Sequence, residues 1–145
     1  MIPLLDVNVL VAIAWPNHTH HARARAWFMD IHANGWATTP ATQAGFVRVS
    51  SNRTVIPAAR SPSEAIALLA DLITVAGHRF WDDAVGMTDG TLIAPQLIVG
   101  HRQVTDAHLF GIAVSHAGCL ATFERGITDI VPEKLREEGR VMLVP

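Results

Sequence analysis

Three carboxylates sit where a strand ends or a helix begins, and their spacing along the chain is the first clue to chemistry. Asp6 follows the apolar run Ile2-Pro3-Leu4-Leu5 and precedes Val7-Asn8-Val9-Leu10. A short buried strand that ends in a carboxylate places it at the carboxyl edge of a sheet, where α/β proteins collect their ligands. Asp106, in Thr105-Asp106-Ala107-His108-Leu109, sits at the expected start of a helix that continues through Phe110 to Val114. Glu124 follows the apolar segment Cys119-Leu120-Ala121-Thr122, which reads as a second buried strand. Carboxylates gathered at one edge repel one another, and a divalent cation relieves that repulsion. An oxygen-only donor set selects a hard ion such as Mg²⁺ or Mn²⁺. Such an ion suits phosphate substrates, because it neutralises the phosphate and lowers the pKa of a bound water. The competing reading is that the three acids cap helices or pair with arginines.

Composition narrows the possibilities. The 145 residues carry 50% hydrophobic side chains, ample for a buried core in one domain spanning 1–145. No apolar run approaches the ~20 residues of a membrane span. Asp6 also interrupts the only apolar stretch near the start, so a cytoplasmic location without membrane association is expected. The single cysteine, Cys119, excludes an internal disulfide and a Cys-rich zinc site. Eleven Lys+Arg against thirteen Asp+Glu give a net charge of -2, so any polyanion would need a local basic groove. All the cations but Lys134 are arginine, a bias that GC-rich codon usage explains.

The elements that must position the acids alternate between strand and helix. Val7 to Ala14 suits a short helix halted by Trp15-Pro16. His18 to Ala33 reads as an amphipathic helix, with Ala22, Ala26, Met29 and Ala33 on one side, widened by Trp27, Phe28 and Ile31. Trp36 to Thr38 is a strand, and Thr39 or Thr42 opens a helix toward Ser50. Asn52 to Arg60 is a loop. Ser61-Pro62-Ser63-Glu64 is a strong helix start, with Ser61 as cap and Pro62 first in the helix. That helix reaches Val75. A strand over His78 to Trp81, an acid-rich turn, a helix over Leu92 to Val99, a last helix over Pro132 to Glu138 and a strand over Val141 to Val144 complete the pattern. Such alternation implies an α/β fold with a mainly parallel sheet of four or five strands.

The strand that ends in Asp6-Val7-Asn8-Val9-Leu10, then Thr105-Asp106-Ala107-His108-Leu109, then Leu120-Ala121-Thr122-Phe123-Glu124-Arg125-Gly126 resemble in order and spacing the PIN-domain ribonucleases. In length the chain resembles the VapC-type toxins among them. The resemblance implies a three-layer PIN-like fold and an endonuclease dependent on Mg²⁺ or Mn²⁺ that cuts RNA, often tRNA or rRNA. It also implies a homodimer and a cognate antitoxin that blocks the site. By position, Asp6 would be the first metal carboxylate, Asn8 its orienting neighbour, Asp106 the helix aspartate and Glu124 a stand-in for the usual aspartate. Thr122 would supply a hydroxyl. The family's helix glutamate falls where this chain has Gln43, and no acid lies from Ile31 to Ser63 to replace it.

Arg125 and Arg102 lie near this expected site and could hold phosphates. His18, His20 and His21 share no single helix face and read as surface residues. Trp15, Trp27, Phe28, Trp36 and Trp81 read as core or interface, with the faces around Trp15, Trp27, Phe28 and Ile31 expected to pack partly on another chain. Asp82, Asp83 and Asp89 read as solvated turn residues. A haloacid-dehalogenase-type phosphatase would need an aspartate at Asn8. A PIN fold that binds without cutting is the alternative Gln43 favours, and a housekeeping RNA-processing nuclease is another.

Overall fold

Apolar alternation along the strands decides which helices cover which face of the sheet. The computed structural model describes all residues, Met1 to Pro145. Five strands, β1 (Pro3–Leu5), β2 (Trp36–Thr38), β3 (His78–Phe80), β4 (Cys119–Thr122) and β5 (Val141–Leu143), form one sheet in the order β3-β2-β1-β4-β5. Every pairing is parallel. Leu4, Ala37 and Leu120 point to one face and pack with α5 (Gln103–Ser115) through Leu109, Phe110 and Ile112. Their neighbours Leu5, Trp36 and Ala121 point to the other. There they meet α1 (Val7–Ala14), α2 (His21–Ile31), α3 (Pro40–Ser50) and α4 (Pro62–Leu72). The result is a helix–sheet–helix sandwich, the three-layer α/β architecture expected from the strand–helix alternation. A short α6 (Glu133–Glu137) precedes β5.

The strand order reverses direction between β1 and β4, and such a switch point opens a crevice at the carboxyl ends of the strands. Register fixes what lines it. Leu4 pairs with both Ala37 and Leu120, so Asp6 stands level with Thr39 on one side and Thr122 on the other. Asp6 extends the ladder by donating its N–H to the Ala121 carbonyl at 3.0 Å.

Several boundaries differ from the sequence expectation. Helix α2 starts at His21 rather than His18, because His18 Nδ1 accepts from the His20 N–H at 3.0 Å and closes a turn in front of it. Its buried residues are Ala24 and Phe28, whereas Ala22, Ala26, Ala33 and Met29 face solvent. Rings bury far more area than alanine methyls, so Phe28 orients the helix and the alanine stripe does not. The α2 turn ends at Gly35, whose φ of 113° is open to glycine alone at little cost. Leu92 to Val99 is not a helix: Pro95 limits it to a single 3-10 turn, Pro95–Leu97. Helix α5 begins at Gln103, ahead of Thr105, because Gln103 Oε1 caps the N–H groups of Val99 and Gly100 at 2.8 and 3.1 Å. Asp106 therefore lies within the first turn instead of at the cap. Helix α4 ends at Leu72, short of Val75, and its start follows the expected cap, with Ser61 Oγ accepting from the Glu64 N–H at 3.2 Å.

Candidate active site

Asp6 does two jobs with two oxygens. As N-cap of α1 its Oδ1 accepts from the Val7 N–H at 2.7 Å, and its Oδ2 accepts from Thr122 Oγ1 at 2.7 Å. Thr122 Oγ1 in turn accepts from the Glu124 N–H at 3.1 Å, and Glu124 Oε1 accepts from the Gly126 N–H at 3.2 Å. A relay of short bonds thus ties the ends of β1 and β4 together. Asp106 enters from α5, half-buried. Asp6, Asp106 and Glu124 line one cavity of about 710 Å³ at the sheet's carboxyl edge, together with Asn8.

The electrostatics of this cavity are those of acids without counter-ions. Burial pushes the Asp6 carboxyl above its usual range, the Thr122 and Val7 bonds oppose that shift, and Glu124 adds to it. Asp106 is raised to about 6 by burial first, then by the charges of Asp6 and Glu124. The four ion pairs of the molecule, Arg60–Glu64, His108–Asp83, His116–Asp82 and Arg140–Glu138, leave all three site acids aside. Capping accounts for part of Asp6 and Glu124, but arginine pairing accounts for none of the three.

A divalent metal fits these residues. Asn8 Oδ1 is buried without a hydrogen-bond partner, an orphaned hard-oxygen donor beside three unneutralised carboxylates. No three acidic or histidine side chains of the protein already stand close enough together to form a ligand shell. Asp6, Asp106 and Glu124 would hold the ion, with Asn8 beside them.

The other sequence candidates fall outside. Gln43 does not line the cavity; its Nε2 donates to Thr38 Oγ1 at 3.0 Å, and that hydroxyl also meets His78 Nε2 at 2.8 Å. The capping pair Thr39–Thr42, in which Thr42 Oγ1 accepts from the Thr39 N–H at 3.0 Å, fixes the start of α3 and turns residue 43 toward β3. Arg125 and Arg102 are exposed and absent from the cavity lining. Asp82 and Asp83 pair with His116 and His108, and Asp89 caps its own turn through Thr91. Trp15 and Phe28 are buried in the core of this chain, and Trp27 and Ile31 pack half-buried on the same cluster, so the expected intermolecular face is largely internal.

Two groups of lining residues had no sequence signal. Val11, Trp15, Val49, Val55, Ile56 and Pro57 give the cavity an apolar lining, and Asn17, His18 and Thr19 also line it. Nothing in an irregular loop such as Asn52 to Arg60 announces which way it folds.

A parallel sheet of this order with an acidic cavity at its switch point defines a PIN-like nuclease fold. No protein-family model matches the sequence. Relatives are nonetheless close. Ribonuclease VapC39 of Mycobacterium tuberculosis is 49% identical over 129 residues, 89% of this chain and 93% of that protein. Ribonuclease VapC38 of the same organism is 48% identical over 131 residues, 90% of this chain and 91% of the relative. A chain in the crystal structure of VapBC2 from Rickettsia felis, bound to a DNA fragment from the promoter, superposes with a TM-score of 0.61. It covers 99% of this chain and 97% of its own, at 16% identity, a likeness of fold. This chain belongs to the VapC family of PIN-domain ribonucleases, and it is an endoribonuclease of the toxin type.

Proposed function

We propose that the protein is the toxin of a toxin–antitoxin pair and cleaves structured RNA, tRNA or rRNA, in the cytoplasm with the help of Mg²⁺ or Mn²⁺. The observation that carries this reading is the cavity itself. Asp6, Asp106 and Glu124 line it with no basic ion-pair partner, and Asn8, whose Oδ1 is buried and unsatisfied, lines it too. When bound, the ion supplies a neutralised phosphate and a water of lowered pKa. The chain supplies the rest: Thr122 holds the Asp6 carboxylate in one orientation, and the cap of α1 fixes its other oxygen. No helix is long and apolar enough to cross a membrane. A cognate antitoxin that covers the acids with a cationic side chain, and a homodimer, belong to the same proposal and rest on the family relationship. The alternative, a PIN fold that binds without cutting, rests on the missing fourth acid at Gln43, which donates to Thr38 Oγ1 and does not line the cavity.

The test is cleavage of purified tRNA and rRNA by the wild type with Mg²⁺ or Mn²⁺. Chelation should stop it, and Asp6→Asn should reduce it by at least about a hundredfold with the fold intact. Cleavage that continues undiminished in EDTA refutes the metal-dependent reading.

A further inference from the structure

The residue between Thr122 and Glu124 is Phe123, and its ring carries a layer of its own. His20, the N-cap residue of α2, packs on it at 4.9 Å between ring centroids. The guanidinium of Arg23, one helical turn further on, lies over the same ring at 5.4 Å from its centroid. His18 meets His20 at 5.6 Å and also lines the acidic cavity. A continuous row therefore runs from the cavity through His18, His20 and Phe123 to Arg23 at the surface.

Arg23 forms no ion pair, although Glu124 is the next residue after the ring it rests on. The ring face attracts the guanidinium electrostatically and restrains it, and the group's five N–H donors are not consumed by that contact. Held this way, an arginine loses less conformational freedom when it takes up an anion, and its fork matches two phosphate oxygens. With a net charge of -2 and three unneutralised acids at the site, a strand of RNA needs a fixed positive contact close by.

We propose that Arg23, seated on Phe123 beside Glu124, binds a phosphate of the RNA strand next to the one being cut, with Phe123 as its positioning residue. This rests on the reading of the protein as a ribonuclease acting on RNA. Arg25, two residues along the helix and pointing elsewhere, is exposed and serves as the control.

The experiment measures cleavage kinetics and, separately, binding of fluorescein-end-labelled unfractionated tRNA in chelator over a range of salt concentrations. For Arg23→Ala, KM and the binding constant should rise about tenfold with kcat little changed. The logarithmic salt slope should flatten by about 0.7 to 0.9, one phosphate contact. Arg25→Ala should follow the wild type. Arg23→Lys should restore the slope but not the full affinity, because a lysine cannot stack in the same way. Phe123→Leu should weaken RNA binding in the wild type yet add nothing in the Arg23→Ala background. A wild-type slope and KM for Arg23→Ala overturn the proposal, as does an equal effect from Arg25→Ala. So does a loss confined to antitoxin affinity, which would assign the row to the protein partner. If the wild type cuts no RNA, the ribonuclease reading fails; Arg23-dependent binding of tRNA would still uphold the contact, and its absence would end both.

Discussion

Thr122 Oγ1 donates a 2.7 Å hydrogen bond to Asp6 Oδ2 across 116 positions of sequence, and this bond joins the first strand to the fourth at the edge of the acidic cavity. Thr122 is buried, as is Asp6. The hydroxyl is the main group that lowers the Asp6 pKa against burial. Thr122→Val keeps the shape and removes the donor. It should destabilise the protein by about 1–3 kcal/mol, the usual penalty for stranding a buried polar partner. It should also raise the Mg²⁺ or Mn²⁺ concentration needed for half-maximal cleavage, since the Asp6 carboxylate becomes harder to ionise. Chemical denaturation and a metal titration check the two effects separately; an unchanged metal requirement would deny Thr122 its role.

Asp106 makes stability depend on pH in an unusual direction. Its folded pKa of about 6 exceeds the ordinary 3.8, so between those values the folded state holds more protons than the unfolded. Stability of the metal-free protein should therefore fall as pH rises through that window. Asp106→Asn should remove this trend and stabilise the metal-free protein at neutral pH by about 1 kcal/mol, a figure discounted because the group is only half-buried. Protons and metal also compete for the carboxylate, so the metal concentration for half-maximal activity should climb as pH drops below about 6. Denaturant melts in EDTA and metal titrations across pH 5 to 8 would show both, and a flat profile in each would contradict the assignment.

Gly45 lets α3 lie against α1. A Cβ there would come within 2.5 Å of Val7 Cγ2, and Val7 donates the bond that caps Asp6. Gly45→Ala should cost about 1–3 kcal/mol by overpacking and should lower activity beyond what the loss of folded protein explains. Activity per folded molecule equal to wild type would show that Val7 can give way without moving Asp6.

Gln43→Glu tests a residue that sequence position assigned to the site and that the structure leaves outside the cavity lining. Since Gln43 Nε2 donates to Thr38 Oγ1 away from the cavity, the change should leave the metal requirement unaltered and reduce stability by about 1 kcal/mol through loss of that donor. A lowered metal requirement would return residue 43 to the site. The difference has a physical origin. Spacing along a helix tells which residues share a face but not which way the face turns, and here the Thr39–Thr42 cap and a Thr38–Gln43–His78 cluster decide it. Asp6 and Glu124 were legible because each ends a strand, where alternation and register leave little freedom. Asp106 was legible as a helix-start acid, though the helix begins earlier through the Gln103 cap. The apolar lining from Val55 to Pro57 and the Arg23–Phe123 contact depend on how separate segments meet, and no local pattern encodes that.

Asn8 offers the sharpest separation of stability from function. Its Oδ1 is buried and bonded to nothing in the protein, an arrangement that burdens the fold and is explained if the oxygen serves a ligand. Asn8→Ala removes the stranded carbonyl and places a strong helix former in the first turn of α1. The metal-free protein should be no less stable than wild type and up to about 1 kcal/mol more so. Cleavage should nevertheless fall about ten- to a hundredfold, with a raised requirement for metal, because the remaining oxygens must hold the ion without it. Melting temperature in EDTA and the metal dependence of cleavage should move in opposite senses. Loss of stability together with activity would instead mean that Asn8 supports the fold, and the three carboxylates alone would then have to account for the metal.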